Sequence, residues 1–270
     1  MTLKFRNRVY FVLFCINILT FLLGLSALLY LVLNNVKIPA NFQKDFDLIP
    51  FLCPYNKIAS LISIIIFPFF AAAFCLAIMQ GFEKTAALEI QFFAGFVISC
   101  FLESIRILIP LLELWNSYSE FVKFIGKVII AGRVLAPLSF LFSVIFSAVD
   151  QRQNSERNMF ILFLSAALLG FCYPINTASF TSNYSIAWGY KELFISIRFV
   201  LFLCTVITIL QNAYIFSIKE MYAKAFSAPV FFLGYALLCS TDSFFEIAVS
   251  VPTMITGAII YLTSIHRLEN

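Results

Sequence analysis

Residues 87–112, ALEIQFFAGFVISCFLESIRILIPLL, decide the class of the fold. Only Glu89, Gln91, Glu103 and Arg106 interrupt a run of apolar and small side chains. At about 1.5 Å rise per residue, such a run wound as a helix spans the roughly 30 Å hydrocarbon core of a bilayer. Seven other runs behave alike: 10–33, 58–80, 122–148, 158–173, 193–218, 229–240 and 247–265. The expected fold is all-α, a polytopic transmembrane helix bundle of about eight spans, with 1–270 as a single integral membrane domain and no soluble domain.

Composition agrees. The chain is 62% hydrophobic and 12% charged, with 34 phenylalanines and a mean hydropathy of +0.97. Soluble domains carry roughly 45–50% apolar and about 25% charged residues, and could not cover their surface with so few charges. In lipid no such cover is needed, because a helix satisfies its own backbone. The first run follows Lys4, Arg6 and Arg8. It is too long for a signal-peptide core and lacks a small-residue cleavage site, so it reads as a retained anchor. The last two runs are separated by Ser240, Thr241, Asp242 and Ser243. They read as two short helices with a tight turn, the alternative being one kinked span plus a re-entrant segment.

Orientation follows from the basic residues. With the N-terminus inside, the inner segments hold Lys4, Arg6, Arg8, Lys84, Arg152, Arg157, Lys219, Lys224 and Arg267. The outer ones hold Lys37, Lys44, Lys57, Lys123, Lys127 and Lys191 over longer loops. Both termini are therefore expected on the cytoplasmic side of a plasma or cytoplasmic membrane, with the loops 34–57 and 174–192 outside. Trp115, Trp188, Tyr118, Tyr184 and Tyr190 gather at the outer boundary, as an aromatic belt does.

Ionisable groups within the membrane are the main functional signal, since each costs roughly 2.5–3.5 kcal/mol on insertion scales. Counting along the spans places Glu103, Arg106, Arg133, Arg198, Asp242 and Glu246 in the outer half, although they come from four parts of the chain. Glu103 and Arg106 are three apart and share a helix face. The spans carrying Glu103 and Arg133 are joined by a short loop and should be antiparallel neighbours. Arg133 then competes with Arg106 for one carboxylate. The resulting positive excess favours an anionic ligand, or Asp242 or Glu246, as the occupant. Glu113 is a further possible counter-ion. Two readings compete: a network that lines a ligand or ion cavity, and a purely structural one, in which Arg198 and Glu246 snorkel to headgroups.

Weaker signals stand beside this band. Pro68, Pro110, Pro137 and Pro252 can kink spans and free carbonyls. Asn183, Tyr184 and Ser185 match a glycosylation sequon, a pattern frequent by chance. Cys53 and Cys172 fall on the outer side and could pair, although unpaired thiols are the simpler reading. The shared triplet Ser104–Ile105–Arg106 and Ser196–Ile197–Arg198 hints at an inverted repeat but is short enough to be accidental.

Several chemistries lack their residues. The one histidine, His266, and the scattered cysteines give no metal-ligand spacing. GxSxG, HExxH and P-loop patterns are missing. No basic run suggests nucleic acid, and no cofactor is expected. Two functions remain. The first is a receptor-like or sensor-like protein, or an accessory subunit, with a charged outer pocket, lipids around it and a possible protein partner at the cytoplasmic loops. The second is a transporter or permease for a small anionic or zwitterionic solute. Few polar residues continue toward the inner side, which favours the first.

Overall fold

The computed structural model describes residues 3–34, 42–43, 54–84, 87–116, 120–147, 154–216 and 219–269. Eight long helices carry the fold: α1 (Leu3–Leu33), α2 (Lys57–Gly81), α3 (Leu88–Ser104), α5 (Glu120–Ser147), α6 (Ser155–Cys172), α7 (Lys191–Phe216), α8 (Lys219–Ser240) and α9 (Phe244–Glu269). A 3-10 turn, Ile105–Ile107, extends α3 into the single turn α4 (Leu108–Leu111). Three strands, β1 (Phe42–Gln43), β2 (Ile175–Thr181) and β3 (Ile186–Trp188), make a small sheet.

Seven of these helices, counting α3 through Leu111, are long and apolar enough to cross a membrane. The 18-residue α6 is shorter, yet it runs antiparallel to α5. Leu162 lies beside Gly95 and Ser139, and Gly170 beside Ala131, with room for no side chain at 170: a Cβ there would meet the Ala131 Cβ at 2.5 Å. Lys127 closes the end of α6 by donating to the carbonyls of Phe171, at 2.7 Å, and Tyr173.

The bundle has an inside and an outside set by apolar packing rather than by water. α5 and α3 are buried along most of their length, whereas α1 and α7 turn Phe11, Leu19, Leu23, Leu29, Phe199, Val200 and Ile207 outward. These exposed apolar faces suit hydrocarbon chains. The core contains interlocked rings, with Phe96 edge-on to Phe231 at 4.9 Å and Phe140 edge-on to Phe93 at 4.9 Å. Such pairs add about 0.5–1.5 kcal/mol beyond area burial.

The first turns of α1 and the last turn of α9 lie at one end of the bundle. Arg6 donates to the Phe82 carbonyl, and the Phe82 ring meets His266 at 5.6 Å. The opposite end carries the sheet and the α8–α9 turn, to which the start of α2 is tied by Asn56 N–H donating to the Asp242 carbonyl at 2.8 Å. Asn56 also caps α2, its Oδ1 accepting from Ile58 N–H.

Two sequence expectations change here. The last two runs are not short helices: α8 has 22 residues and α9 has 26. The turn between them does fall at Thr241, Asp242 and Ser243, and the single kinked span is excluded. α8 starts ten residues before the apolar run because Lys224, which hydropathy places in a loop, finds a carboxylate inside the bundle. The segment 174–192 is not merely a surface loop. Its β2–β3 hairpin is buried from Ser179 through Ala187.

Candidate functional site

α3 loses its regular hydrogen-bond ladder where Glu103 and Arg106 lie. Pro110 has no N–H to give to the Arg106 carbonyl, and the backbone tightens into the 3-10 turn that begins at Ile105. Residues three apart nearly eclipse in that geometry, so both side chains leave the helix on one side. Arg106 Nε stands 3.0 Å from Glu103 Oε2. From α5, Arg133 Nε reaches the other oxygen, Oε1, at 2.8 Å. One carboxylate thus sits between two guanidiniums, and all three residues are 0–1% exposed.

A carbonyl at the end of α8 completes the cluster. Cys239 O accepts from Arg106 Nη1 at 3.1 Å, Arg133 Nη2 at 3.2 Å and Asn183 Nδ2 at 2.7 Å. The C-terminal end of a helix carries roughly half a negative charge, which suits the two guanidiniums. Aromatic faces cover the flanks: the Arg106 guanidinium lies 5.6 Å from the Phe67 ring centre and that of Arg133 lies 5.2 Å from Trp188. One donor is left over. Arg106 Nη2 is buried and has no hydrogen-bond partner among the described residues.

The hairpin is the part of the site that the sequence did not announce. Its tip, Ser182, Asn183 and Tyr184, is at most 1% exposed. Asn183 Oδ1 accepts from Thr181 Oγ1, Ser185 Oγ and Ser185 N–H at 2.7–3.2 Å, bracing the turn. The Asn183 carbonyl accepts a long bond, 3.4 Å, from Arg106 Nη1. Tyr184 adopts a left-handed φ of 57°, a conformation that bulky residues hold only when their surroundings impose it. The signal was present in composition: residues 174–190 contain no Asp, Glu, Lys or Arg. A segment without charges can enter a membrane bundle without desolvating an ion.

Glu103, Arg106 and Arg133 come together. Arg198 is half-buried on α7, 5.8 Å from the Phe194 ring centre, within electrostatic reach of Cys239. Glu246 instead caps α9, its Oε2 accepting from Asp242 N–H at 2.8 Å. Asp242, on the same turn, is buried and gives its carbonyl to α2. Two aromatic assignments also change. Tyr184 is buried in the hairpin tip, and Trp188 packs over Arg133 and against Phe194 at 4.6 Å. The sequon asparagine is fully buried and engaged with Cys239. Cys172 is a free, exposed thiol, and Cys53 and Tyr118 lie outside the described residues.

A second buried ion pair lies outside the charged band. Lys224 on α8 donates to Glu89 Oε1 on α3, with the Tyr261 ring centre 5.5 Å from its Nζ. Tyr261 in turn shares a 3.3 Å hydrogen bond with Ser143. Glu89 and Glu103 are both on α3, about 21 Å apart at 1.5 Å per residue, so ionic contacts mark both ends of one central helix. Between them stand the rings of Phe93, Phe96, Phe140 and Phe231. Among the described residues, no three His, Cys, Asp or Glu side chains converge as a metal site would require. Comparison of the chain with protein-family models and with curated proteins finds no match in either.

Proposed function

We propose that this chain is a receptor-like or sensor-like membrane protein, or an accessory subunit, in which the hairpin-covered Glu103–Arg106–Arg133 cluster is the responsive element. The observation that carries this reading is the shared Cys239 carbonyl. A tip from outside the helices and the two buried arginines bond to the same atom, so movement of the hairpin is felt at once by α3, α5 and α8. Beneath the cluster the interior is filled by aromatic rings, which turns binding into helix movement rather than passage. The sheet end faces outward and the termini face the cytoplasm in this reading. A protein partner at the short cytoplasmic loops supplies the output.

Transport of a small anionic or zwitterionic solute is the second reading. The Glu89–Lys224 pair at the other end of α3 favours it, because paired ionic closures on either side of an apolar layer suit alternate opening.

Spin labels at Arg8 and Tyr222, both exposed and near the termini end, separate the two readings when combined with uptake of radiolabelled acetate or phosphate into proteoliposomes. The sensor reading expects Asn183→Ala to shift the label distance and uptake to match protein-free vesicles. An unmoved distance together with protein-dependent uptake overturns it in favour of transport.

A further inference from the structure

We propose that the end of the bundle where α1 starts and α9 finishes holds an anionic phospholipid. Its headgroup sits among Lys4, Arg8 and Lys84, and its chains lie along the adjoining outer face of α1. The site is assembled around Arg6. That guanidinium is buried and donates to the Phe82 carbonyl, while Asn7 Nδ2 donates to the Glu83 carbonyl at 3.2 Å. The Phe82 ring meets His266 of α9 at 5.6 Å. Three stretches that are far apart in sequence are thus fastened together. Each carries an exposed cation within two residues of the fastening: Lys4 and Arg8 on α1, Lys84 after α2, and Arg267 on α9. Among the described residues, none of these four takes part in an ion pair, although Glu83 is exposed in the same loop and Glu220 lies at the start of α8.

The faces of α1 decide what kind of anion fits. At 3.6 residues per turn, Asn7 stands between Arg6 and Lys4 around the helix, so the loop carrying Lys84 meets α1 on the side where Lys4 projects. On that outer side Lys4, Arg8, Phe11, Cys15, Leu19 and Leu22 fall in one stripe. All six are exposed. The stripe is cationic for its first turn and apolar for about 20 Å beyond it. Its occupant must therefore pair negative charge with a long hydrocarbon part. An anionic phospholipid has both. A soluble anion has only the first, and a zwitterionic lipid brings no net charge. The ammonium groups and the Arg8 guanidinium suit phosphate oxygens as charge-assisted donors. Each basic side chain near a membrane surface strengthens the attraction to anionic lipid by roughly fivefold.

Cys15 lies within the stripe and is exposed, so a bimane on its thiol senses the lipid chains directly. The test uses the full chain with Cys53, Cys172 and Cys204 changed to serine and the buried cysteines kept, labelled and reconstituted in phosphatidylcholine vesicles. Phosphatidylglycerol or phosphatidylcholine with brominated chains is titrated in, and quenching reports which lipid the stripe selects. Brominated phosphatidylglycerol should quench at the lower mole fraction. Arg8→Gln should reduce that preference roughly fivefold, and Lys4→Gln/Arg8→Gln/Lys84→Gln should abolish it. Lys123→Gln, at the opposite end of the bundle, should leave it unchanged, as should excess inorganic phosphate. The substituted side chains are exposed, and size exclusion verifies that each variant is folded.

Equal quenching by the two lipids overturns the proposal, as does a preference that survives the triple variant or falls as far in Lys123→Gln. Displacement by inorganic phosphate makes the hydrocarbon part dispensable and overturns it too. A dye that neither lipid quenches means that a second copy or another protein covers the stripe, and the lipid assignment is then wrong.

Discussion

Replacing Glu103 by glutamine keeps the side chain's size and removes the charge that two arginines share. The carboxylate receives Arg133 Nε at 2.8 Å and Arg106 Nε at 3.0 Å, and none of the three residues is more than 1% exposed. Removing one partner of a buried pair costs about 3–5 kcal/mol, because the charge left behind is not rehydrated. For comparison, Glu120 and Lys123 approach to 2.7 Å with side chains 87% and 52% exposed, a setting worth about 0.2–1 kcal/mol. At about 2–4 °C per kcal/mol for a chain of this size, Glu103→Gln should lower Tm by about 6–20 °C and Glu120→Gln by no more than about 4 °C. A fluorogenic thiol dye in detergent reads unfolding through the buried Cys75, Cys100 and Cys239. The double variant Glu103→Gln/Arg133→Gln should recover part of the loss, since it removes one of the stranded cations. If Glu103→Gln costs no more than Glu120→Gln, the cluster is hydrated and the argument from burial fails.

Three further outcomes can be checked. Glu89→Gln should also lower Tm, but by less than Glu103→Gln, because the Glu89 side chain is 11% exposed; the same dye assay decides. Gly234→Ala should sharply reduce the folded fraction seen by size exclusion, since a Cβ there would overlap the Met254 backbone, whereas Gly81→Ala, with open space around it, should not. Asn183 should carry no glycan when the chain is made in a eukaryotic secretory route, because its amide is buried against Cys239; a mobility shift on deglycosylation, lost in Asn183→Gln, would contradict this.

The helical class was legible because a bilayer imposes a length on apolar runs, and the structure follows those runs closely at α2, α5 and α7. Depth was legible too: counting residues put Glu103, Arg106 and Arg133 at one height, and the short connection from α3 to α5 made them neighbours. Hydropathy failed where polarity is satisfied by a distant partner. The first turns of α8 look like a loop until Lys224 is seen to meet Glu89, which lies 135 residues away in sequence. The hairpin was hidden for a related reason. Its tip bonds to a backbone carbonyl of α8, and backbone acceptors leave no trace in side-chain patterns. Counting depth also grouped Glu246 with the arginines. Depth fixes height in the membrane but not angle around the bundle, and Glu246 is instead turned toward the start of its own helix.

The position of the cluster explains why a costly group of charges should sit there. A buried ion pair is no more stabilising than a well-packed apolar substitute of the same volume, so stability alone gives no reason for two arginines. They stand where several pieces of chain meet, among them the broken end of α3, the middle of α5, the last turn of α8 and the hairpin tip. An apolar joint would hold those pieces at any small displacement, because dispersion and burial have little direction. Charged hydrogen bonds to a single carbonyl have a defined length and angle, so this joint exists in one arrangement or is broken. α3 can accommodate the break, since its ladder already lacks a hydrogen bond at Pro110. In the proposed sensor reading, that combination is what would make the joint a two-state element.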